Sequence, residues 1–89
     1  MVETELTLNN EQGLHARPAD LFVRTANKFK SDITVRNLST GSNDVNAQSI
    51  LRILSLGVYS GHTIQVMANG EDESQAIEEI ASLINHNFE

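Results

Sequence analysis

The chain has 89 residues, no cysteine and a formal net charge of −6. This length favours one domain over residues 1–89, the missing cysteines exclude disulfides and thiolate metal sites, and the acidic balance argues against nucleic-acid binding as the main activity. The acidic N-terminal segment is not expected to be a signal peptide, and no apolar run reaches the roughly 18 residues that a membrane span needs, so we expect no membrane insertion.

The first half of the chain predicts strand, helix and strand. Thr4, Leu6 and Leu8 alternate with polar residues, which is typical of a half-buried strand, and turn residues 9–13 end that pattern. From residue 16 the period changes to three and four residues, which predicts a helix. Its apolar face consists of Ala19, Phe22, Val23, Ala26 and Phe29. Ile33 and Val35 then indicate a second strand.

The second half predicts two more strands and two more helices. Residues 37–44 (NLSTGSND) are typical of a hairpin turn, and residues 45–47 of a short strand. Ser49 stands at the N-cap of a short apolar helix that ends near Gly57. Ile64, Val66 and Ala68 alternate as a fourth strand, and an Asn-Gly turn follows.

Asp72 is predicted to cap the last helix, with Gln75 as its partner in a variant of the capping box. The buried stripe of that helix is Ile77, Ile80, Ala81 and Ile84. The order β-α-β-β-α-β-α, with all three helices on one face of four strands, predicts an open-faced two-layer α+β sandwich.

The segment that carries chemistry is GLHARPA, residues 13–19, where a loop enters the first helix. Gly13 permits a tight turn and Pro18 fits within the first helical turn, so His15 falls at the N-cap. A helix start offers unpaired N–H groups and a partial positive charge, which together bind phosphate. Because proline has no N–H, the donors are chiefly those of Ala16 and Arg17, with Ala19 as a third candidate.

A histidine beside such a site can act as a nucleophile and form a phosphoimidazole, and the Arg17 guanidinium suits phosphate oxygens. The residues alone leave a commoner alternative open, since most single histidines lie at the surface or have satisfied hydrogen bonds. We expect this ordinary role for His62 and His86.

Residues 13–19 resemble the active-site signature of HPr, the histidine-containing phosphocarrier of the bacterial phosphoenolpyruvate:sugar phosphotransferase system. Residues 46–50 (NAQSI) and 54–57 (LSLG) resemble its second signature, around a regulatory serine, and residues 69–73 (NGEDE) resemble the entry into its last helix. The likeness spans the chain in register. It implies a four-stranded antiparallel sheet covered on one face by three helices, and a cytoplasmic carrier that is not an enzyme and needs no cofactor.

The resemblance also implies partners and site residues. Enzyme I, charged from phosphoenolpyruvate, would phosphorylate His15 at Nδ1, Arg17 would contact the phosphate, and an enzyme II A domain would receive the group. Ser49 matches the serine that an HPr kinase/phosphorylase modifies in some bacteria, with a transcriptional regulator as a further partner. The docking surface would comprise Ile50, Leu51, Arg52 and Leu54, to which the basic residues Arg24 and Lys28 are added.

Two features depart from the family pattern. Asp20 stands where a small or hydroxyl residue is usual and lies within helical reach of both Arg17 and Arg24, and the turn at 37–44 is a few residues longer. Two alternatives stay open. One is a regulatory interaction module in carbon or nitrogen control, which would work through Ser49. The other is an autonomous enzyme, which the lack of an acid/base pair, a glycine-rich loop and a metal cluster disfavours.

Overall fold

Alternating apolar residues in the strand segments place every second side chain on one face of a single sheet. The computed structural model describes residues 1–89 and has the predicted order of elements. The strands are β1 (Val2–Thr7), β2 (Asp32–Asn37), β3 (Val45–Asn46) and β4 (Thr63–Asn69). The helices are α1 (Ala16–Ala26), α2 (Ile50–Ser55) and α3 (Glu73–Asn85).

The sheet has the order β1-β4-β2-β3, and all of its neighbouring strands are antiparallel. Ile64 of β4 pairs with Leu6 of β1, and Val66 of β4 pairs with Val35 of β2, so the buried rows of the three long strands lie side by side. The three helices cover this apolar face, and polar residues occupy much of the other face. The predicted open-faced α+β sandwich is confirmed.

The helices contribute their predicted apolar faces to one core. Phe22 of α1, Ile53 of α2 and Ile80 of α3 are each fully buried. The apolar pattern of the first helix extends further than the helix itself, because α1 ends at Ala26 and Phe29 lies beyond it, partly buried against the core. None of the three helices combines the length and the apolar character needed to cross a bilayer.

The start of α3 differs from the predicted capping box. Asp72 is the N-cap residue, but its side chain makes no capping bond, and Gln75 takes no part. The Asp72 carboxylate instead accepts hydrogen bonds from the N–H of Lys30 at 2.9 Å, the N–H of Ser31 at 3.0 Å and the Ser31 hydroxyl. These bonds, the Ser31 hydroxyl foremost, lower the pKa of Asp72. Asp72 therefore ties the loop after α1 to the start of α3.

Candidate functional site

The loop before α1 is fixed against the segment between α2 and β4. The Leu14 N–H donates to the Val58 carbonyl at 3.0 Å, and the Asn10 side-chain amide donates to the Gly13 carbonyl at 2.9 Å. Gly13 has a φ of +60°, and a Cβ there would lie 2.3 Å from the Val58 carbonyl oxygen. Only glycine fits this close approach. The contact sets the position of His15, two residues further on.

His15 is the N-cap residue of α1, as predicted, with extended φ and ψ of −126° and 162°. Its ring is half-buried and makes no capping hydrogen bond. The N–H groups of Ala16 and Arg17 donate to no protein acceptor, whereas the Ala19 N–H donates to the His15 carbonyl at 3.5 Å. Since Pro18 has no N–H, the first turn of α1 leaves two unpaired donors beside the His15 backbone.

Ala16, the first helical residue, has a φ of +51°. A non-glycine residue in this left-handed conformation costs about 1–2 kcal/mol, and such residues concentrate at functional sites. Periodicity gives no signal for it, because alanine is usually a helix former. The strained residue lies between the histidine and the arginine of the predicted site, and it departs from the regular helix at the point where the two donors are free.

Tyr59 is a contact of His15 that the sequence analysis missed. The two ring centroids lie 5.0 Å apart with an interplanar angle of 52°. Tyr59 is 59% exposed, although it packs on a half-buried ring. The available signal was the single tyrosine of the chain, placed in a loop of small residues just after Gly57.

The basic side chains of the predicted docking surface fall into two groups. Asp20 pairs with Arg24 at 2.9 Å rather than with Arg17, and Lys28 pairs with Glu79 at 3.4 Å. These exposed pairs contribute little to stability, but they offset two of the positive charges near α1. Arg17 and Arg52 have no carboxylate within ion-pair distance. Arg17 borders a shallow groove formed with residues 10–12 and 87–88.

Ser49 is the N-cap of α2, as predicted, and its hydroxyl accepts a hydrogen bond from the Arg52 N–H at 3.4 Å. The helix packs against α1 and buries only Ile53. Three large apolar side chains remain exposed by 39%, 76% and 40%, namely Ile50, Leu51 and Leu54. Three of the four α2 residues that the resemblance assigned to docking therefore form an exposed apolar surface, and the fourth is the cationic Arg52.

The other two histidines have the ordinary role expected of them. His62 Nδ1 accepts a hydrogen bond from the Tyr59 N–H at 3.1 Å, and His86 Nδ1 lies 2.7 Å from the Ser82 carbonyl oxygen. His15 is the histidine whose ring has no hydrogen-bond partner in the protein.

Residues 2–86 match the model of a protein family described as the PTS HPr component phosphorylation site. The chain belongs to the HPr family. It is 41% identical over 88 residues to the phosphocarrier protein HPr of Xylella fastidiosa, which covers 99% of this chain and 96% of that protein. A crystal structure of HPr from Thermoanaerobacter tengcongensis has a TM-score of 0.94 and 45% identity, and the match covers 99% of this chain and 96% of that one.

Other HPr relatives differ in size and in name. The chain is 40% identical over 84 residues to the HPr-like protein Crh of Bacillus subtilis, covering 94% of this chain and 95% of Crh. It is 46% identical over 78 residues to the multiphosphoryl transfer protein of Haemophilus influenzae, covering 88% of this chain but only 16% of that protein. HPr proteins are phosphocarriers of the bacterial phosphotransferase system rather than catalytic enzymes, and their partners are proteins of that system.

Proposed function

We propose that this chain accepts one phosphoryl group on His15 from phosphorylated Enzyme I and passes it to an enzyme II A domain during sugar uptake. The observation that carries the proposal is the half-buried His15 ring, which has no hydrogen-bond partner and stands at a helix start with two unpaired N–H groups. In the acceptance step, a lone pair of the imidazole, at Nδ1 by resemblance to the family, forms the new N–P bond. The bond between phosphorus and the donor breaks, and the donor keeps that electron pair.

The surroundings of His15 suit the negative charge that the phosphoryl group brings. The N–H groups of Ala16 and Arg17 donate to its oxygens, and the positive end of α1 favours the charge. The guanidinium of Arg17 is available because no carboxylate pairs with it, and its fork of N–H donors fits phosphate oxygens. The phosphorylated form is thereby stabilised by groups of this chain alone.

Partner docking would use the apolar surface on α2, formed by Ile50, Leu51 and Leu54, together with nearby cations. The unpaired Arg52 adds positive charge to α2, and Arg24 and Lys28 lie on and just beyond α1. Such charges act chiefly on the rate of association with an acidic partner. A cytoplasmic place of exchange is part of this proposal and is supported by the family relationship.

Intact mass spectrometry after incubation with Enzyme I and phosphoenolpyruvate tests the assignment. We expect one added phosphoryl group that is labile in acid and stable in base, and we expect none on the His15→Ala chain. Because the His15 ring makes no capping bond, this variant should stay folded. The matched control is His86→Ala, at the exposed end of α3, which should be labelled to one equivalent. One equivalent on His15→Ala would refute the assignment.

A second candidate function is that of a regulatory interaction module in carbon control, which the likeness to Crh favours. In this function Ser49 receives the regulatory phosphate beside the exposed apolar side chains of α2. Incubation with an HPr kinase/phosphorylase and ATP, followed by mass measurement of the chain and of Ser49→Ala, separates the two. Modification of Ser49 without any Enzyme I-dependent labelling of His15 would favour the regulatory module over the sugar-transport carrier.

A further inference from the structure

The reactive ring of this site is oriented in an unusual way. A functional histidine is generally fixed by a hydrogen bond from its second ring nitrogen to a carbonyl or carboxylate. The His15 ring makes no hydrogen bond with the protein. The His15 ring instead packs against the ring of Tyr59. The two ring centroids lie 5.0 Å apart and the ring planes meet at 52°, and this distance is within the range of favourable aromatic pairs.

Tyr59 is itself held in place by His62. The backbone N–H of Tyr59 donates to the ring nitrogen Nδ1 of His62 at 3.1 Å, and the backbone N–H of His62 donates to the Tyr59 carbonyl at 3.0 Å. Their rings meet edge to face, with centroids 5.7 Å apart and an interplanar angle of 76°. Because Nδ1 of His62 accepts this hydrogen bond, the proton of its neutral ring lies on Nε2.

His62 is anchored to the sheet through Asn37, a fully buried residue at the end of β2. The Asn37 side-chain nitrogen lies 3.1 Å from His62 Nδ1, while its oxygen accepts the Ser39 N–H at 3.0 Å. On the other side of the loop, the Gly61 N–H donates to the Leu8 carbonyl at 2.6 Å. The backbone that carries Tyr59 is thus fixed to the sheet and to the end of β1.

We propose that Tyr59 is a positioning residue for phosphoryl transfer, which holds the His15 imidazole in its reactive orientation by ring contact. The inference rests on the proposed function of His15. A ring contact fixes the imidazole while it leaves both nitrogens unoccupied, so that one can take the phosphoryl group and the other can keep its proton. Without the Tyr59 ring, His15 samples other side-chain rotamers, and fewer molecules present the nitrogen toward the Ala16 and Arg17 donors.

The test compares Tyr59→Leu, which keeps apolar bulk but has no aromatic ring, with Tyr59→Phe, which keeps the ring. Rapid-quench single-turnover transfer from phosphorylated Enzyme I is measured over a range of chain concentrations. From the strength of aromatic pairs, we expect Tyr59→Leu to lower the maximal rate about three- to tenfold. The concentration that gives half of that rate should stay unchanged, the final labelling should reach one equivalent, and Tyr59→Phe should restore the rate.

A spectroscopic measurement accompanies the kinetics. The Tyr59 ring current shifts the NMR signals of the His15 ring protons, and this shift should vanish in Tyr59→Leu and persist in Tyr59→Phe. Two results overturn the inference: an unchanged maximal rate in Tyr59→Leu, or a raised half-saturating concentration alone, which would make Tyr59 a partner contact. A wild-type chain that is never labelled would refute the proposed function instead, so the two failures are distinguishable.

Discussion

The starts of α1 and α2 are two helix N-termini that differ at the third helical residue, while the first two N–H groups of each helix have no acceptor in the protein. At α2, the Ser49 hydroxyl accepts the N–H of Arg52, the third helical residue. At α1, the third helical residue is Pro18, which has no N–H, and His15 makes no capping bond. The start of α2 is thus closed by a side-chain cap, which stabilises that helix, whereas the start of α1 is open in the sense that it has no cap, and an incoming anion can reach it.

The same comparison separates the two proposed modification sites, His15 and Ser49. A phosphoryl group on His15 would lie at a helix start without a side-chain cap, whereas a phosphate on Ser49 would be attached to the capping oxygen itself. In the proposed function the charge on His15 would be bound by Arg17 and the N–H groups of α1, and a charge on Ser49 would border the exposed apolar side chains of α2. The first arrangement suits a transient carrier, and the second suits a switch that disturbs docking.

The largest effect is expected at Gly13, whose close contact with Val58 holds the loop before the uncapped start of α1 in place. Gly13→Ala combines a left-handed φ with a clash against the Val58 carbonyl, so it should lower the free energy of unfolding by about 2–5 kcal/mol. Gly57→Ala is the matched control, because its φ is +61° but no atom lies within 4 Å of the added Cβ. It should cost about 1–2 kcal/mol. Urea denaturation measures both, and equal costs would show that the contact with Val58 does not constrain the loop.

The closed start is tested by adding charge to it. Ser49→Asp keeps a capping oxygen, so its melting temperature should stay close to that of the wild type. Transfer from Enzyme I to His15 should slow by roughly tenfold, because the charge borders the apolar surface on α2 that we propose for docking. Ser49→Ala is the control, with a loss of at most about 1 kcal/mol of stability and normal transfer. Normal transfer in Ser49→Asp would mean that Ser49 only caps its helix.

Charges beside the open start should have a smaller effect, on association. Reversal of Arg24 and Lys28 to Glu should slow association with an acidic partner about threefold at low salt, and less at high salt. The paired variant, Asp20→Asn with Glu79→Gln, removes the carboxylates that offset these cations and should speed association. Stopped-flow rates over a range of ionic strength measure both effects. Rates that do not depend on salt in the wild-type chain would contradict electrostatic steering.

The smallest effect concerns the start of α3, where the N-cap carboxylate bonds to another loop. Hydrogen bonds lower the pKa of Asp72 below its ordinary value of 3.8 in the folded chain. Its contribution to stability is therefore present above that value and is lost as the pH falls through the lowered one. In urea unfolding, Asp72→Asn should have a lower free energy of unfolding than the wild type at neutral pH. The difference between the two free energies should become smaller in acid. Asp32→Asn is the control, because the Asp32 carboxylate is exposed and makes no hydrogen bond, and its stability relative to the wild type should not change with pH in this way. A difference for Asp72→Asn that stays constant with pH would refute a stabilising role of the Asp72 hydrogen bonds.

Most of the fold and part of the site could be predicted from local patterns. The alternation around Leu6 and Ile64 and the helical period around Phe22 each report which side of an element is buried, and the observed elements follow them. His15 and Ser49 were placed correctly as N-cap residues, because a cap depends on neighbours within one turn. The predicted apolar face of the first helix wrongly included Phe29, because an apolar residue beyond the end of a helix can also pack on the core.

The sequence by itself determined the order of the elements, the glycine before the site and the proline that leaves the start of α1 open, because these follow from the backbone chemistry of a few adjacent residues. Tertiary structure alone decided that Tyr59 packs on His15, that Asp20 pairs with Arg24 rather than with Arg17, and that Asp72 bonds to Ser31 instead of capping its own helix. In each case the sequence offers more than one partner that the side chain could contact. The fold brings one of these partners within contact distance, and the order of residues along the chain does not contain that distance.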